Sequence, residues 1–279
     1  MKQALIFTIL FVLLSSLGFA ACPEGMISYW TFDNDSVSGS TVQDVYGSND
    51  GSINGATVGA EGMVGEAFEF DGSSYIDTNI NMDSLIGDNS AFSFSLWVNF
   101  DSSIASDHVR IFSPWDGYDQ GPNLNWNAGN VTFWTYHHGG NHYGTCSYQA
   151  NAGVLYNIVG TYDASTGYHL YVNGKLNGSN SDTTSMLGST DLFIGAQNFN
   201  GAPEKYFEGT LDEVAIFNRA LNATEVAQLY NQSSQGYDYC GTYKNTLPLS
   251  TKFTEFESTT NFSQVQNLSA VENLTLGSP

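Results

Sequence analysis

The sequence contains very few basic residues. Seven Lys and Arg stand against 28 Asp and Glu, which gives a formal net charge of −21 at pH 7. Because contacts to phosphate depend on Lys and Arg, this balance excludes nucleic acid and anionic membrane surfaces as expected partners. Divalent cations are the partners that the excess of carboxylates favours, although solubility alone would explain most of them.

Familiar catalytic signatures are also missing. The chain contains no G-x-S-x-G nucleophile turn, no H-E-x-x-H zinc motif and no glycine-rich phosphate loop. Cys146 lies near His142 in the sequence, but a cysteine nucleophile needs a positioned base that the sequence does not identify. We therefore expect a protein that is not an enzyme.

Long apolar runs are confined to the start of the chain. Lys2 precedes an almost wholly apolar stretch over residues 4–17, and small residues follow at 18–21. This pattern predicts a secretory signal peptide over residues 1–21, since the run is shorter than the ~20 residues that a membrane span needs. A membrane anchor, or a lipoprotein acylated at Cys22, is the alternative. We expect a secreted or cell-surface protein with no membrane insertion after signal cleavage.

Cysteine is scarce as well. The three residues are Cys22, Cys146 and Cys240, and export would allow two of them to pair. Eight N-x-S/T sequons make N-glycosylation possible, and three of them lie within residues 261–275. Residues 242–279 are rich in Ser, Thr and Asn, which predicts a tail or the start of a further module.

Alternating apolar and polar residues dominate the rest of the chain. Residues 92–101 (FSFSLWVNFD) alternate over ten positions, and Asp71-Gly72 and Asn173-Gly174 are hairpin signals. With 29 glycines and frequent turns, this pattern predicts an all-β sandwich.

A single change of period occurs near the end of this region. Residues 207–217 read as a strand, after which Asn222 and Glu225 have the spacing of a helix capping box. Val226, Leu229 and Tyr230 then form one apolar face, so a short amphipathic helix of about three turns is predicted.

Six segments occur in a recognisable order: SYWTFD, AFEFDGSSYID, FSFSLWV, LYVNGK, LFIGA and GTLDEVAIFNRAL. In this order they resemble the laminin-G-like, concanavalin A-like jelly-roll family over about residues 24–231. The resemblance implies an all-β concanavalin A-like jelly-roll β-sandwich, in which two antiparallel sheets of six or seven strands are followed by one short C-terminal helix, over residues 22–241. The tail resembles the opening of Ser/Thr-rich modules in archaeal surface proteins.

The resemblance also implies links between the two ends of the domain. End strands of such jelly rolls lie side by side, so a Cys22–Cys240 disulfide is expected, with Cys146 left free. Family members often hold a structural Ca²⁺ near matching positions, which here are Asp33 and Asp212, with Asp44 as a further carboxylate. The alternative is that Asp33 and Asp212 only cap turns or accept backbone amides.

One stretch combines aromatic rings with hydrogen-bonding groups, as sugar recognition requires. In the family, a ligand lies on the concave sheet and its rim loops. The candidate ligand-binding residues are Trp115, Asp116, Asp119, Asn125, Trp126, Trp134, Tyr136, His138 and Tyr143. Trp126 and Trp134 flank a short turn and are predicted as neighbours on one face. The alternative is that these rings fill the core.

The predicted function is therefore a non-catalytic extracellular recognition module, stabilised by Ca²⁺, that binds glycans or cell-surface proteins. One alternative is a purely structural spacer in a surface protein or adhesin. Another is a glycoside hydrolase with an unrecognised site. Related glucanases carry E-x-D-x-x-E on one strand, and the carboxylates in residues 66–71 and 208–213 lack that spacing.

Overall fold

The computed structural model describes residues 21–87, 90–102, 104, 108–115, 120–137, 141–184 and 191–244. The predicted signal peptide, apart from residue 21, and the tail beyond residue 244 lie outside the described residues. Within these ranges, no helix is long and apolar enough to cross a membrane.

The described residues form nineteen strands and two α-helices, with one 3₁₀ turn at Asn34–Ser36. The strands are β1 (Met26–Trp30), β2 (Val37–Ser38), β3 (Thr41–Val42), β4 (Gly51–Asn54), β5 (Thr57–Glu61), β6 (Glu66–Asp71), β7 (Tyr75–Asn81), β8 (Phe92–Phe100), β9 (Val109–Ser113), β10 (Gln120–Asn127), β11 (Asn130–His137), β12 (Asn141–Gln149), β13 (Leu155–Asp163), β14 (Gly167–Val172), β15 (Lys175–Asn180), β16 (Asp191–Ile194), β17 (Gln197–Phe199), β18 (Ala202–Glu204) and β19 (Glu208–Phe217). The helices are α1 (Met82–Ile86) and α2 (Ala223–Ser233).

Two large antiparallel sheets contain almost all of the strands. The eight-stranded sheet has the order β15-β14-β13-β8-β19-β6-β5, with β1 also paired to β19. The nine-stranded sheet has the order β12-β11-β10-β9-β16-β7-β4-β3-β2, and β17 and β18 form a separate hairpin. The predicted two-sheet sandwich is confirmed. Its sheets are larger than the predicted six or seven strands, because short segments such as β2 and β3 extend the edges.

Alternation along β8 explains how the eight-stranded sheet is covered on both sides. Phe94, Leu96 and Val98 point into the core between the sheets. Trp97 points the other way, where its Nε1 donates to Ser233 Oγ of α2 at 3.0 Å. Helix α2 therefore covers the outer face of the eight-stranded sheet, and the outer face of the nine-stranded sheet remains free of it.

Helix α2 begins as the sequence predicts. Asn222 Oδ1 accepts the amides of Thr224 at 2.9 Å and Glu225 at 3.0 Å. The Glu225 carboxylate accepts the Asn222 amide at 2.8 Å in return, which completes the capping box. Arg219 adds an ion pair to Glu225 at 2.8 Å, so the exit from β19 and the start of α2 are joined.

Two turns predicted as hairpins have different outcomes. Asn173-Gly174 connects β14 to β15, and both residues have positive φ, 49° and 74°, as a type I′ turn requires. Asp71-Gly72 is not a hairpin, because β6 belongs to the eight-stranded sheet and β7 to the nine-stranded sheet. The Asp-Gly dipeptide indicates only that the chain turns at this position. Which sheet the next strand joins depends on where its apolar side chains are buried.

The ends of the domain are held together as the resemblance implied. Strand β1 pairs antiparallel with β19, with Met26 opposite Phe217 and Trp30 opposite Val214. Cys22 and Cys240 form a disulfide with their Cα atoms 4.0 Å apart. A crosslink that closes a loop of this length stabilises the fold by about 5 kcal/mol at most, by restricting the unfolded chain.

The burial of the third cysteine determines how the thiols of the protein should react. Cys146 is buried beside the carbonyl of Tyr168, and burial raises its pKa to about 11. The native protein should therefore react negligibly with iodoacetamide at pH 8. Denaturation should expose one thiol per chain, and denaturation with reduction should expose three, as counted by mass spectrometry. Alkylated Cys22 in the non-reduced sample would contradict the disulfide.

Candidate functional site

The first candidate site lies on β19, at the point where its paired strand changes from β6 to β1. Strand β6 pairs with residues 208–211 of β19, and β1 pairs with residues 214–217. Asp212 and Glu213 occupy the gap between these two ladders, and the pairing with β8 also shifts there. Glu213 has a φ of 54°, a conformation that is costly for a residue with a side chain.

The chain that leaves β1 turns sharply into the same gap. Phe32 has a φ of 60°, and its ring stacks on Phe68 with centroids 4.4 Å apart. This packing holds the strained backbone in place, and Asp33 follows directly. Two strained residues, Phe32 and Glu213, therefore flank the meeting point of Asp33 and Asp212, as is common at functional sites.

A four-residue loop at 62–65 closes the gap. Val64 donates its amide to Asp212 Oδ2 at 3.0 Å, and Glu66 donates its amide to Asp33 Oδ1 at 2.8 Å. A Cβ on Gly62 would lie 2.7 Å from Asp212 Oδ2, so only glycine allows this close approach.

Each of three carboxyl groups at this position keeps one oxygen buried without a hydrogen bond in the described structure. The atoms are Asp33 Oδ2, Asp212 Oδ1 and Glu213 Oε1. The three residues are 4%, 1% and 0% exposed. Burial raises the pKa of each group, most strongly for Asp212 and Glu213, because the charged form is poorly solvated. Nearby positive charge comes from Lys244, whose Nζ is 3.4 Å from Asp33 Oδ2.

Glu213 is already engaged on the side of the sheet that faces α2. Its carboxylate accepts the hydroxyl of Tyr29, and that hydroxyl also accepts the Tyr239 amide at 3.0 Å. The Tyr239 ring stacks on Tyr29 with centroids 5.4 Å apart. Glu213 therefore links β19 to β1 and to the segment beside the disulfide.

Asp33 and Asp212 fit a hard cation as donors, because each offers a buried carboxylate oxygen without a hydrogen bond. The described residues contain no cluster of three or more His, Cys, Asp or Glu side chains with metal-binding geometry. An ion here would therefore complete its coordination with backbone oxygens and water, which Ca²⁺ accepts readily.

Asp44, the third predicted ligand, has another role. Its Oδ1 accepts the amides of Tyr29, Tyr46 and Gly47 at 2.8, 3.1 and 2.8 Å. Its Oδ2 accepts the Asn49 amide at 3.1 Å. Four amides use its acceptor capacity, so Asp44 organises the loop over residues 44–49 and is removed from the predicted ion site.

The second candidate site lies on the outer face of the nine-stranded sheet. Three of the predicted ligand-binding residues meet there around Arg110, which sequence reasoning missed. The Arg110 guanidinium carbon lies 5.3 Å from the ring centroids of both Trp115 and Trp134. Trp134 Nε1 donates to Asn125 Oδ1 at 2.5 Å. Burial lowers the pKa of Arg110 to about 10. We call Arg110, Trp115, Asn125 and Trp134 the tryptophan cluster.

Trp126 does not join this cluster. It is 7% exposed and stacks on Phe100 in the core, with ring centroids 4.2 Å apart. Trp126 pairs with Val131, whereas Trp134 pairs with Asn123. Because Asn123 and Trp126 are three positions apart, the two tryptophans point to opposite faces. The prediction that they share a face was wrong. The short turn between Asn127 and Asn130 sets the register of β10 on β11, and this register places the two rings on opposite faces.

For the remaining predicted ligand-binding residues, the structure describes at most the position of the backbone. Asp116, Asp119 and His138 lie outside the described residues. The backbone places Tyr136 on β11 and Tyr143 on β12, where Tyr136 is opposite His142 and Thr135 is opposite Tyr143. The register therefore brings Tyr136 and Tyr143 to neighbouring strands.

A more open group lies on neighbouring strands of the same face. The ring of Tyr75 lies 4.7 Å from that of Phe193 and 6.4 Å from that of Tyr206, as centroid distances. Asp77 is opposite Phe193 in the register, and Asp191 lies two residues before Phe193. Burial and the charge of Asp77 raise the pKa of Asp191. We call these five residues the tyrosine patch.

The tyrosine patch differs from the tryptophan cluster in its exposure. Tyr75, Asp77, Asp191 and Tyr206 are half-buried, whereas Arg110, Asn125 and Trp134 are buried. Sequence reasoning missed the patch because Tyr75 and Tyr206 are 131 positions apart in the chain. The alternation of Tyr75 and Asp77 about buried Ile76 was the available signal, since it places both on one face.

Similar solved structures share the fold at low sequence identity. Domain 4 of AbnA, a GH43 extracellular arabinanase from Geobacillus stearothermophilus solved with arabinotriose, is 21% identical, with a TM-score of 0.57 over 76% of this chain and 100% of that domain. The binding domain of botulinum neurotoxin DC in complex with SialylT is 13% identical, with a TM-score of 0.58 over 75% of this chain and 52% of that one.

A Trypanosoma rangeli sialidase is 18% identical, with a TM-score of 0.57 over 75% of this chain. The match spans 32% of the sialidase, so the likeness concerns one part of that enzyme. At these identities the comparisons show a lectin/glucanase-like fold, which occurs both in binding domains and in glycosidases.

No curated protein sequence matches the chain. The profile of the laminin-G-like family described as the concanavalin A-like lectin/glucanases superfamily matches residues 70–227, which is more than half of the sequence. This span runs from β6 into α2 and includes Asp212, Glu213 and the tyrosine patch. The chain belongs to the laminin-G-like family of concanavalin A-like jelly-roll domains.

Proposed function

We propose that this domain is a non-catalytic recognition module of an exported protein, and that it binds neutral glycans on the outer face of its nine-stranded sheet. The single observation that supports this most strongly is the tyrosine patch. It combines three aromatic rings with two carboxylates on one face, and four of its five members are half-exposed.

Sugar recognition needs flat apolar faces for C–H groups and nearby acceptors for hydroxyl groups. Tyr75 and Tyr206 offer the rings, and Asp77 and Asp191 offer carboxylate oxygens. The tryptophan cluster is more deeply buried, and its two rings already pack edge to face with centroids 6.1 Å apart while the Arg110 guanidinium lies against both. We therefore assign binding to the tyrosine patch and a supporting role in the same sheet to the tryptophan cluster.

Charge selects among glycans. The chain carries a formal net charge of −21, and the two ionisable groups that accompany the rings of the patch are acidic. An anionic sugar would be repelled both over long range and at the patch. Neutral oligosaccharides such as the arabinotriose seen with the similar arabinanase domain are the better first ligands, and sialylated glycans like that of the toxin complex should bind more weakly.

The same proposal includes a structural Ca²⁺ held by Asp33 and Asp212. Two buried carboxyl groups next to Glu213 have one lysine nearby, so their ionised forms carry more negative charge than that lysine offsets. A divalent cation would neutralise this charge and would connect loop 62–65 to the end of β1 and to β19. Export is supported by the disulfide, by the apolar start of the sequence and by the family.

The proposed glycan site predicts the effect of removing one ring. Tyr75→Ala should lower affinity for the best neutral glycan on an array about tenfold, because one stacking face is lost. Tyr46→Ala removes a ring that is 45% exposed on the loop over residues 44–49 and should leave binding unchanged. Near-UV circular dichroism and the melting temperature would verify folding of both variants.

Two results would contradict this proposal. An array on which no glycan binds reproducibly would favour a structural spacer. Release of reducing ends from any polysaccharide would favour a glycoside hydrolase.

The proposed ion site predicts a calcium-dependent melting temperature. Saturating Ca²⁺ should raise it by about 5–10 °C relative to EDTA, because an ion at 100 times its Kd stabilises the folded state by about 2.7 kcal/mol. Asp212→Asn should lose this increase yet remain at least as stable as the native protein in EDTA, since it removes an uncompensated buried carboxyl group.

A matched control uses a carboxylate elsewhere. Asp71 is exposed and accepts the Ser73 amide at 2.9 Å, so Asp71→Asn should keep the full calcium effect. Equal melting temperatures of the native protein in EDTA and in millimolar Ca²⁺ would rule out the ion site.

A further inference from the structure

Lys244 is the basic side chain that reaches the buried carboxylates. Its Nζ lies 3.4 Å from Asp33 Oδ2 and 2.7 Å from Asp35 Oδ2. The shorter contact is a hydrogen bond to an exposed carboxylate. The longer one is an ion pair without the geometry of a hydrogen bond, and Asp33 Oδ2 keeps no hydrogen bond in the described structure. Lys244 therefore contributes charge to the buried site while its hydrogen bond lies at the surface.

The backbone holds Lys244 in place independently of this contact. The Lys244 amide donates to the Gly236 carbonyl at 3.0 Å, and the Asp238 amide donates to the Thr242 carbonyl at 2.8 Å. Asp238 Oδ1 accepts the Thr242 amide at 2.7 Å. The disulfide attaches Cys240 to Cys22. The backbone of this segment is thus fixed, and the four-carbon side chain of Lys244 can move without unfolding it.

A Ca²⁺ ion held by Asp33 would compete with the Lys244 ammonium for Asp33 Oδ2. Ca²⁺ binds oxygens at about 2.3–2.6 Å, and an ammonium on the same carboxylate oxygen would then lie close to a doubly charged ion. Two like charges at such separation repel strongly in a partly buried site. Asp35 offers the displaced lysine a partner nearer to solvent.

We propose that Lys244 is the domain's own competing cation, which lowers the affinity of the Asp33–Asp212 site for Ca²⁺ and is displaced from Asp33 when the ion binds. This inference rests on the proposed ion site. According to this inference, Lys244 sets the affinity of the site for Ca²⁺ without itself coordinating the ion. It also couples ion binding to the exposure of Lys244, the last residue that the structure describes.

Calcium titration calorimetry of the full chain tests the competition. Lys244→Met keeps the apolar stem and removes the charge, so it should tighten Ca²⁺ binding about tenfold. Lys244→Arg keeps the charge and should bind within about threefold of the native protein. Unchanged or weaker binding by Lys244→Met, with the native protein binding normally, would overturn this inference alone. No binding by any of the three proteins would overturn the ion site as well.

Limited trypsin digestion tests the displacement. Saturating Ca²⁺ should increase cleavage after Lys244 severalfold relative to cleavage after Lys252, which serves as the reference for protease activity in each buffer. Asp212→Asn should show the same ratio with and without Ca²⁺. A ratio that Ca²⁺ leaves unchanged or lowers in the native protein would mean that Lys244 stays on Asp33, and the proposal would fail.

Discussion

The antiparallel pairing of β1 with β19 is the contact on which the rest of this domain depends. It joins residues about 190 positions apart, with Trp30 opposite Val214, in one ladder. Such a long-range contact is entropically costly to form. The disulfide reduces that cost by confining the unfolded chain. Once the ladder forms, the Asp33 and Asp212 carboxyl groups lie close enough to interact electrostatically, and Lys244 lies beside Asp33.

The pairing also creates an electrostatic problem. Strand β19 changes partner at Asp212 and Glu213, so neither β1 nor β6 covers these residues with a continuous ladder. The gap holds buried carboxyl groups whose pKa values are raised by burial. Backbone amides from loop 62–65 and one lysine offset only part of the negative charge. The strained backbone at Phe32 and Glu213 indicates that the fold maintains this arrangement at a cost.

Helix α2 covers the outer face of only one of the two large sheets. Trp97 and its neighbours on the outer face of the eight-stranded sheet pack under the helix. The nine-stranded sheet presents the tryptophan cluster and the tyrosine patch on adjacent strands. A family whose members differ in function can vary such a face while keeping the core between the sheets unchanged.

Local patterns in the sequence were sufficient for the features that depend on neighbouring residues: the alternation along β8, the Asn173-Gly174 turn and the capping box at Asn222. The resemblance to a family added the disulfide and the meeting of Asp33 with Asp212. Only the tertiary structure decided that Asp71-Gly72 crosses between sheets, that Asp44 accepts four amides, that Trp126 enters the core and that Tyr75 meets Tyr206. The physical reason is that these outcomes depend on register and on sheet order, which are set by contacts between distant residues and not by the residues next to them in the chain.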